Sequence, residues 1–264
     1  MNAFEFHRPA SVADASKAIL ASDDGRFIAG GQSLLPTMKF GLSAPADLVA
    51  LAGISELTGI TVQGTAVRIG AMTTHAAVAA SDDVKRNIAA LAQLADGIGD
   101  PAVRSRGTLG GSLGLNDPAA CYPTAVLGLG ASIRTDRRSI AADDFFKGLY
   151  TTALERGEVI TGVEFPVPEK AAWVKFKQPA SRFSLVGVFV SKSAAGVRVA
   201  VTGAGPCVFR VSALEAALSK NWSAAACDGI SISADGLNSD LHASATYRAH
   251  LISVLCKRAV SAAG

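Results

Sequence analysis

The chain has 264 residues, 25 Lys and Arg against 22 Asp and Glu, a net charge of +3 at pH 7, and 49% apolar against 18% charged side chains. That composition excludes a disordered chain, and so small a net charge gives no electrostatic case for nucleic acid or an anionic membrane surface as partner. The length suffices for two or three subdomains, and no apolar run is long enough for an integral membrane segment.

Met1 to His7 carry no signal-peptide pattern, which points to a cytoplasmic protein. Ser11 and Asp14 then read as a helix cap, with Val12, Ala15 and Ile19 on one face. Arg26 to Ala29 reads as a strand running into a glycine segment, Ala29-Gly30-Gly31-Gln32-Ser33-Leu34. Leu48 to Leu51 is a second strand, with Pro36 and Pro45 in the connection. Ile60-Thr61-Val62 and Val67-Arg68-Ile69 alternate around Gln63-Gly64-Thr65 as a hairpin. Ser81-Asp82-Asp83 caps one helix through Val84, Ile88, Leu91 and Leu94 to Gly97. Gly99 to Gly114 is rich in turn formers and holds a second glycine segment, Thr108-Leu109-Gly110-Gly111-Ser112-Leu113.

Cys121 to Leu129 reads as a short buried helix broken early by Pro123, and strands follow at 132–134 and 159–163. Asp143-Asp144 reads as a helix cap, and Arg134, Arg137 and Arg138 as a solvated turn. Pro166-Val167-Pro168 is the linker candidate. Beyond it come three strands (173–177, 185–190 and 197–201) and two helices, 212–218 and 243–260, the latter with Tyr247, Leu251, Val254 and Leu255 on one face.

Paired glycines let backbone amides approach an anion with no Cβ in the way. Two such segments suit one long ligand held in two places, such as a dinucleotide with its pyrophosphate; two ordinary turns suit the spacing equally. Neither segment has the G-x-G-x-x-G or Walker pattern. Gly110-Gly111-Ser112-Leu113-Gly114 also satisfies G-x-S-x-G, with Asp143 or Asp144 and His242 or His250 following in the order of a hydrolase triad, but the charged, turn-like Val103 to Gly107 argues against a nucleophile elbow. Lys175 and Lys177 form a solvated strand face or place a cation near a ligand. The four cysteines (Cys121, Cys207, Cys227, Cys256) and four histidines are scattered, so neither a disulfide framework nor a metal centre is expected on this chain.

Taken together, Ala29 to Pro36, Ile69-Gly70-Ala71-Met72-Thr73-Thr74 and Thr108 to Leu113 resemble the FAD-binding medium subunits of molybdenum hydroxylases, the xanthine dehydrogenase and carbon monoxide dehydrogenase family. The resemblance continues in order through Ile98 to Pro101, Asn116 to Ala120, Pro179 to Phe183, Val199 to Gly205 and His242 to Arg248, essentially the whole chain.

The resemblance implies an α+β fold: a two-lobed vanillyl-alcohol-oxidase-type FAD-binding domain over 1–167, with lobes of about 1–55 and 56–167. A small C-terminal domain of antiparallel strands and helices follows over 168–264. It implies FAD held by Ala29, Gly30, Gly31, Gln32, Ser33 and Leu34 and by Thr108, Gly110, Gly111 and Ser112. Further contacts are implied at Gly99, at Ile160 toward adenine, and at Lys177 near the flavin. It also implies a small partner subunit with two [2Fe-2S] clusters and a large one with the molybdenum cofactor, assembled as a dimer of heterotrimers, with no catalytic side chain on this chain. Three departures stand out. Cys121 replaces a cofactor-contacting aspartate of many relatives, Gly114-Leu115 replaces Ala-Asn or Ala-His, and the cysteine-bearing insertion of the 4-hydroxybenzoyl-CoA reductase branch is absent. A scaffold that has lost FAD, and the Ser112 hydrolase, are the alternative functions. The substrate of the complex and its electron acceptor are set outside this sequence.

Overall fold

The computed structural model describes residues 2–264. The first lobe is a three-stranded parallel sheet in the order β1 (Glu5–His7), β3 (Asp47–Ala50), β2 (Gly25–Ile28). Helix α1 (Val12–Ala21) connects β1 to β2; Ser11 caps it by accepting the Asp14 amide, and Val12, Ala15 and Ile19 pack with Val49, Leu51, Leu57 and Val159. β1 is short and mostly exposed, so it has no periodic signature in the sequence. Residues after the first glycine pair form helix α2 (Leu34–Lys39) rather than a plain connection. Pro36 is no obstacle there, since the amides of a first helical turn have no intrahelical partner to lose.

The second lobe is built on a five-stranded antiparallel sheet in the order β4-β5-β10-β6-β7. The expected hairpin pairs β4 (Ile60–Gln63) with β5 (Ala66–Gly70), Gln63 opposite Ala66. Between β5 and β6 (Ser132–Thr135) run α3 (His75–Ala80), α4 (Asp82–Asn87), α5 (Ala89–Asp96), α6 (Pro101–Arg106), α7 (Leu109–Leu115) and α8 (Tyr122–Leu129). The single helix expected from Ser81 to Gly97 is two, broken at Ile88 (φ −144°, ψ 68°), and the break leaves Ile88 buried between Val84 and Leu91 in the core. Pro123 sits in the first turn of α8, so it begins that helix instead of breaking it.

β7 (Ser139–Ala141) leads into a single helical turn, α9 (Ala142–Phe145), then the ribbon of β8 (Phe146–Gly148) and β9 (Thr151–Thr152), and β10 (Ile160–Pro166) closes the lobe. Asp143 caps nothing; Ala141 is the N-cap, and Asp143 is ion-paired with Arg198 and Arg210. The arginine run lies at the surface, as expected of a solvated turn, with Arg137 and Arg138 exposed and Arg134 half-buried, and it is also ion-paired: Arg134 with Glu164, Arg137 with Glu155, Arg138 with Glu158.

The C-terminal sheet orders β11 (Lys170–Lys177), β12 (Ser184–Ser193), β13 (Gly196–Thr202) and β14 (Phe209–Arg210). One face buries Val186, Val188, Val190, Val199 and Val201 against α10 (Ser212–Lys220) and α11 (Ala245–Ala262). From the other face Phe189 and Ala200 enter the core of the second lobe. On α11 the buried stripe is Leu251, Ile252, Leu255, Cys256 and Ala259, while Tyr247 is exposed and Val254 half-buried. The stripe is turned because Arg248 is drawn inward: it donates to the Leu185 and Gly203 carbonyls (2.7 and 2.8 Å) and pairs with Asp240.

Candidate cofactor-binding site

The two glycine segments start 79 positions apart in sequence, at Ala29 and Thr108, and touch in space. A Cβ on Gly30 would stand 2.7 Å from the Arg106 carbonyl carbon and 2.8 Å from the Gly107 Cα, and one on Gly111 would stand 3.2 Å from the Ala29 Cβ. Glycine is required at Gly30 because the Arg106–Gly107 backbone lies directly on it, while at Gly111 the close neighbours are the Thr108 hydroxyl and the Ala29 methyl.

The two segments are not equivalent. Gly31 adopts φ +72°, and the amides of Gly30, Gly31, Gln32 and Ser33 have no hydrogen-bond partner among the described residues. They form an open nest running into the start of α2. Thr108 to Ser112, expected as a second nest, is the cap and first turn of α7. Its amides are already engaged: Leu109 donates to Thr73 O (3.1 Å), Gly110 to Ala71 O (2.7 Å), Gly111 to Thr108 Oγ1 (3.2 Å) and Ser112 to Thr108 O (3.1 Å). This segment therefore offers close backbone approach and the Ser112 hydroxyl, while the first offers the donors. It is stitched to residues 71–74, the third motif quoted above.

The placement of Ser112 removes the hydrolase reading. It lies inside α7 and is preceded by helix α6, so there is no strand-to-helix elbow.

Beneath the second segment lies His75. Its amide donates to Gly107 O (2.9 Å), its ring packs on Tyr122 at 5.2 Å, and burial, with the Arg104 charge, pushes its pKa down to about 4, so it is neutral at pH 7. Ile160 is buried at the start of β10, its Cδ1 lying 3.9 Å from a Cβ built on Gly114. A carboxylate network holds the strand entrance there: Glu158 accepts from Arg138, from Thr135 Oγ1 and from the Glu155 amide, and these bonds, that of Arg138 first, hold its pKa down to about 2.

Gly99 (φ +51°) precedes Asp100, whose side chain caps α6 by accepting the Val103 amide at 2.8 Å. The turn before it is clamped by cations. Arg104 donates to the carbonyls of Ile98 (3.1 Å) and Gly99 (3.3 Å), and Lys175 to Gly97 O (2.7 Å). Cys121 is buried 3.5 Å from Lys175 Nζ and 3.6 Å from Ser184 Oγ. Lys175 thus joins the turn before Gly99 to Cys121.

Lys177 is exposed beyond a register shift in β11, beside Gln178, His242 and Tyr247, and its amine has no partner among the described residues. The alternation Trp173-Val174-Lys175-Phe176-Lys177 places both lysines on one face; the irregularity between Phe176 and Lys177 separates them, and no sequence signal marks it. Asn116 is also legible only in space. In αL conformation (φ 50°) at the end of α7, it donates to Gly148 O and Thr151 O, both at 2.8 Å, and ties the β8–β9 ribbon to the helix.

The residues suit a dinucleotide such as FAD. Four partnerless amides in a row match a pyrophosphate, while the missing side chains of Gly110 and Gly111 let Ala71 and Ala29 pack against α7 and so bring the second segment up to the first.

A family model for the FAD binding domain in molybdopterin dehydrogenase matches residues 2–168. The nicotine 6-hydroxylase medium subunit of Paenarthrobacter nicotinovorans is 35% identical over 277 residues, covering 99% of this chain and 98% of that protein. Among solved structures, a carbon monoxide dehydrogenase from Hydrogenophaga pseudoflava lacking the Mo-pyranopterin moiety of the molybdenum cofactor superposes with TM-score 0.90 at 33% identity, covering 99% of this chain and 97% of its own. The reconstituted CO dehydrogenase from Oligotropha carboxidovorans superposes with TM-score 0.92 at 31% identity, covering 99% and 98%. With that coverage in both sequence and fold, the chain belongs to the FAD-binding medium subunits of the molybdenum hydroxylase family.

Proposed function

We propose that this chain is the FAD-carrying electron-transfer subunit of a multi-subunit molybdenum hydroxylase. In this reading a small partner with [2Fe-2S] clusters delivers electrons, a large partner with the molybdenum cofactor oxidises the substrate, and an external acceptor removes the electrons. Two such heterotrimers pair, in the cytoplasm; four free cysteines, two of them 3.8 Å apart and unbonded, suit a reducing compartment. The observation that carries the reading is the joined pair of glycine segments with its four open amides.

FAD supplies reversible electron uptake; the chain supplies position and electrostatics. The amides of Gly30 to Ser33 donate to the pyrophosphate, with the Ser33 hydroxyl beside them and Ala29, Gln32 and Leu34 shaping the nest. Thr108, through its cap on the Gly111 amide, fixes the first turn of α7 so that Gly110, Gly111 and Ser112 form the second wall. Gly99 and Cys121 line the end clamped by Lys175, Ile160 supplies apolar surface to the adenine, and Lys177 a cation toward the flavin. Neutral His75 keeps the floor of the second wall uncharged.

The test is the absorption spectrum of the chain, purified alone and with its partners, before and after acid release of cofactor. Flavin bands near one FAD per chain in either form support the reading. A colourless complex that takes up no added FAD refutes it and favours a scaffold that has lost its cofactor.

A further inference from the structure

Lys175 does work that no motif assigns to it. It sits on β11, in the C-terminal sheet, and reaches out of that sheet to three groups. Its amine donates to Gly97 O at 2.7 Å and Arg182 O at 3.0 Å and lies 3.5 Å from Cys121 Sγ.

Gly97 ends α5, a helix with no basic residue in its own last turn. A lysine from another element therefore neutralises the carbonyl end of that helix, where a cation is favoured. Arg104 takes the next two carbonyls, and Arg182 also approaches Gly99 O at 3.4 Å, so three consecutive carbonyls are held by three cations. Arg182 is itself in left-handed conformation (φ +63°), and the Lys175 bond to its carbonyl helps hold it there. No carboxylate lies among the partners of Lys175; its third neighbour is a thiol, a weak donor and acceptor that carries no compensating charge.

We propose that Lys175 is a positioning residue of the FAD site, fixing the Gly97–Gly99 turn against the Arg182 turn, and that its charge, left uncompensated by Cys121, biases bound flavin toward the reduced form. This rests on the reading of the chain as an FAD carrier with Gly99 and Cys121 beside the cofactor. The electron-rich reduced form gains more from a nearby cation than the oxidised form does, so the charge raises the potential.

The experiment is a redox titration of flavin absorbance in the assembled complex, for wild type, Lys175→Met, Lys175→Arg and Cys121→Asp. Cys121→Asp adds the missing carboxylate and Lys175→Met removes the cation. Each is expected to shift the oxidised-to-reduced ratio about tenfold toward oxidised, about 30 mV downward for a two-electron couple. Lys175→Arg keeps the charge and the wild-type potential. Acid-released FAD is counted in every sample. A Lys175→Met complex that retains FAD at the wild-type potential overturns the proposal; where Lys175→Met fails to assemble, a Cys121→Asp complex that retains FAD at the wild-type potential does so. A wild-type complex with no FAD refutes the underlying reading instead, before any variant is compared.

Discussion

Gly30 and Gly31 are neighbours, yet the same substitution should act on them in different ways. Gly30 has an ordinary φ, so Gly30→Ala meets no backbone penalty. Its new methyl would, however, stand 2.8 Å from the Gly107 Cα, about 0.6 Å inside the 3.4 Å where ordinary contact begins, and closer still to the Arg106 carbonyl oxygen. Every atom it meets is backbone, so relief comes only by separating the two glycine segments. Such overpacking costs about 1–3 kcal/mol. That cost falls on the joined arrangement, the one that holds the cofactor, and should weaken FAD binding by about 5- to 150-fold. In Gly31→Ala the methyl meets the flexible end of Leu35 at 2.9 Å, which can rotate away, and the cost is the left-handed backbone at φ +72°, about 1–2 kcal/mol. The assay is FAD titration of deflavinated complex by flavin fluorescence, beside the thermal midpoint of each variant. Gly30→Ala should lose affinity with little change in the melting of the sheets. Wild-type affinity in Gly30→Ala would show that contact between the segments does not shape the site.

Asn116→Gly keeps the left-handed cap but deprives the Gly148 and Thr151 carbonyls of their donor, and should cost about 2 kcal/mol in denaturant unfolding; Asn116→Ala should cost about 1 kcal/mol more for its strained φ. Glu158 has a folded pKa of about 2, below its ordinary 4.5, so its contribution is whole above pH 4.5 and is lost as pH falls toward 2. Glu158→Gln should therefore be less stable at neutral pH and show a shallower loss of thermal midpoint across that window; equal slopes would refute the assignment. His75 also has a lowered folded pKa, about 4 against 6.5, but as a base. The unfolded chain takes up its proton first, so stability falls as pH drops from 6.5 to 4. His75→Gln should flatten that stretch, read as thermal midpoint against pH.

Local chemistry was written plainly in the sequence. The Ser11 cap, the Gln63-Gly64-Thr65 hairpin and the strands of the C-terminal sheet follow from cap, turn and alternation, because each depends on residues within a few positions. The glycine segments were legible for the same reason, and the order of motifs along the chain carried the family. Where a distant neighbour decides, the sequence misleads. The α11 stripe turns because the carbonyls of Leu185 and Gly203 take Arg248, and nothing local marks the break at Ile88 that divides the stretch from Ser81 to Gly97 into two helices.

Most of the candidate site belongs to this second kind. The sequence determined that two backbone stretches lack side chains, but only tertiary packing made them one surface. It gave Gly30 to Ser33 the open amides and spent those of Leu109 to Ser112 on residues 71, 73 and 108. Two lysines on one strand look alike in sequence; a register shift at Phe176 leaves Lys177 exposed and lets Lys175 span the Gly97 turn, Arg182 and Cys121. Side-chain chemistry is a property of the residue, whereas a hydrogen-bond partner 50 or more positions away exists only once the chain has folded.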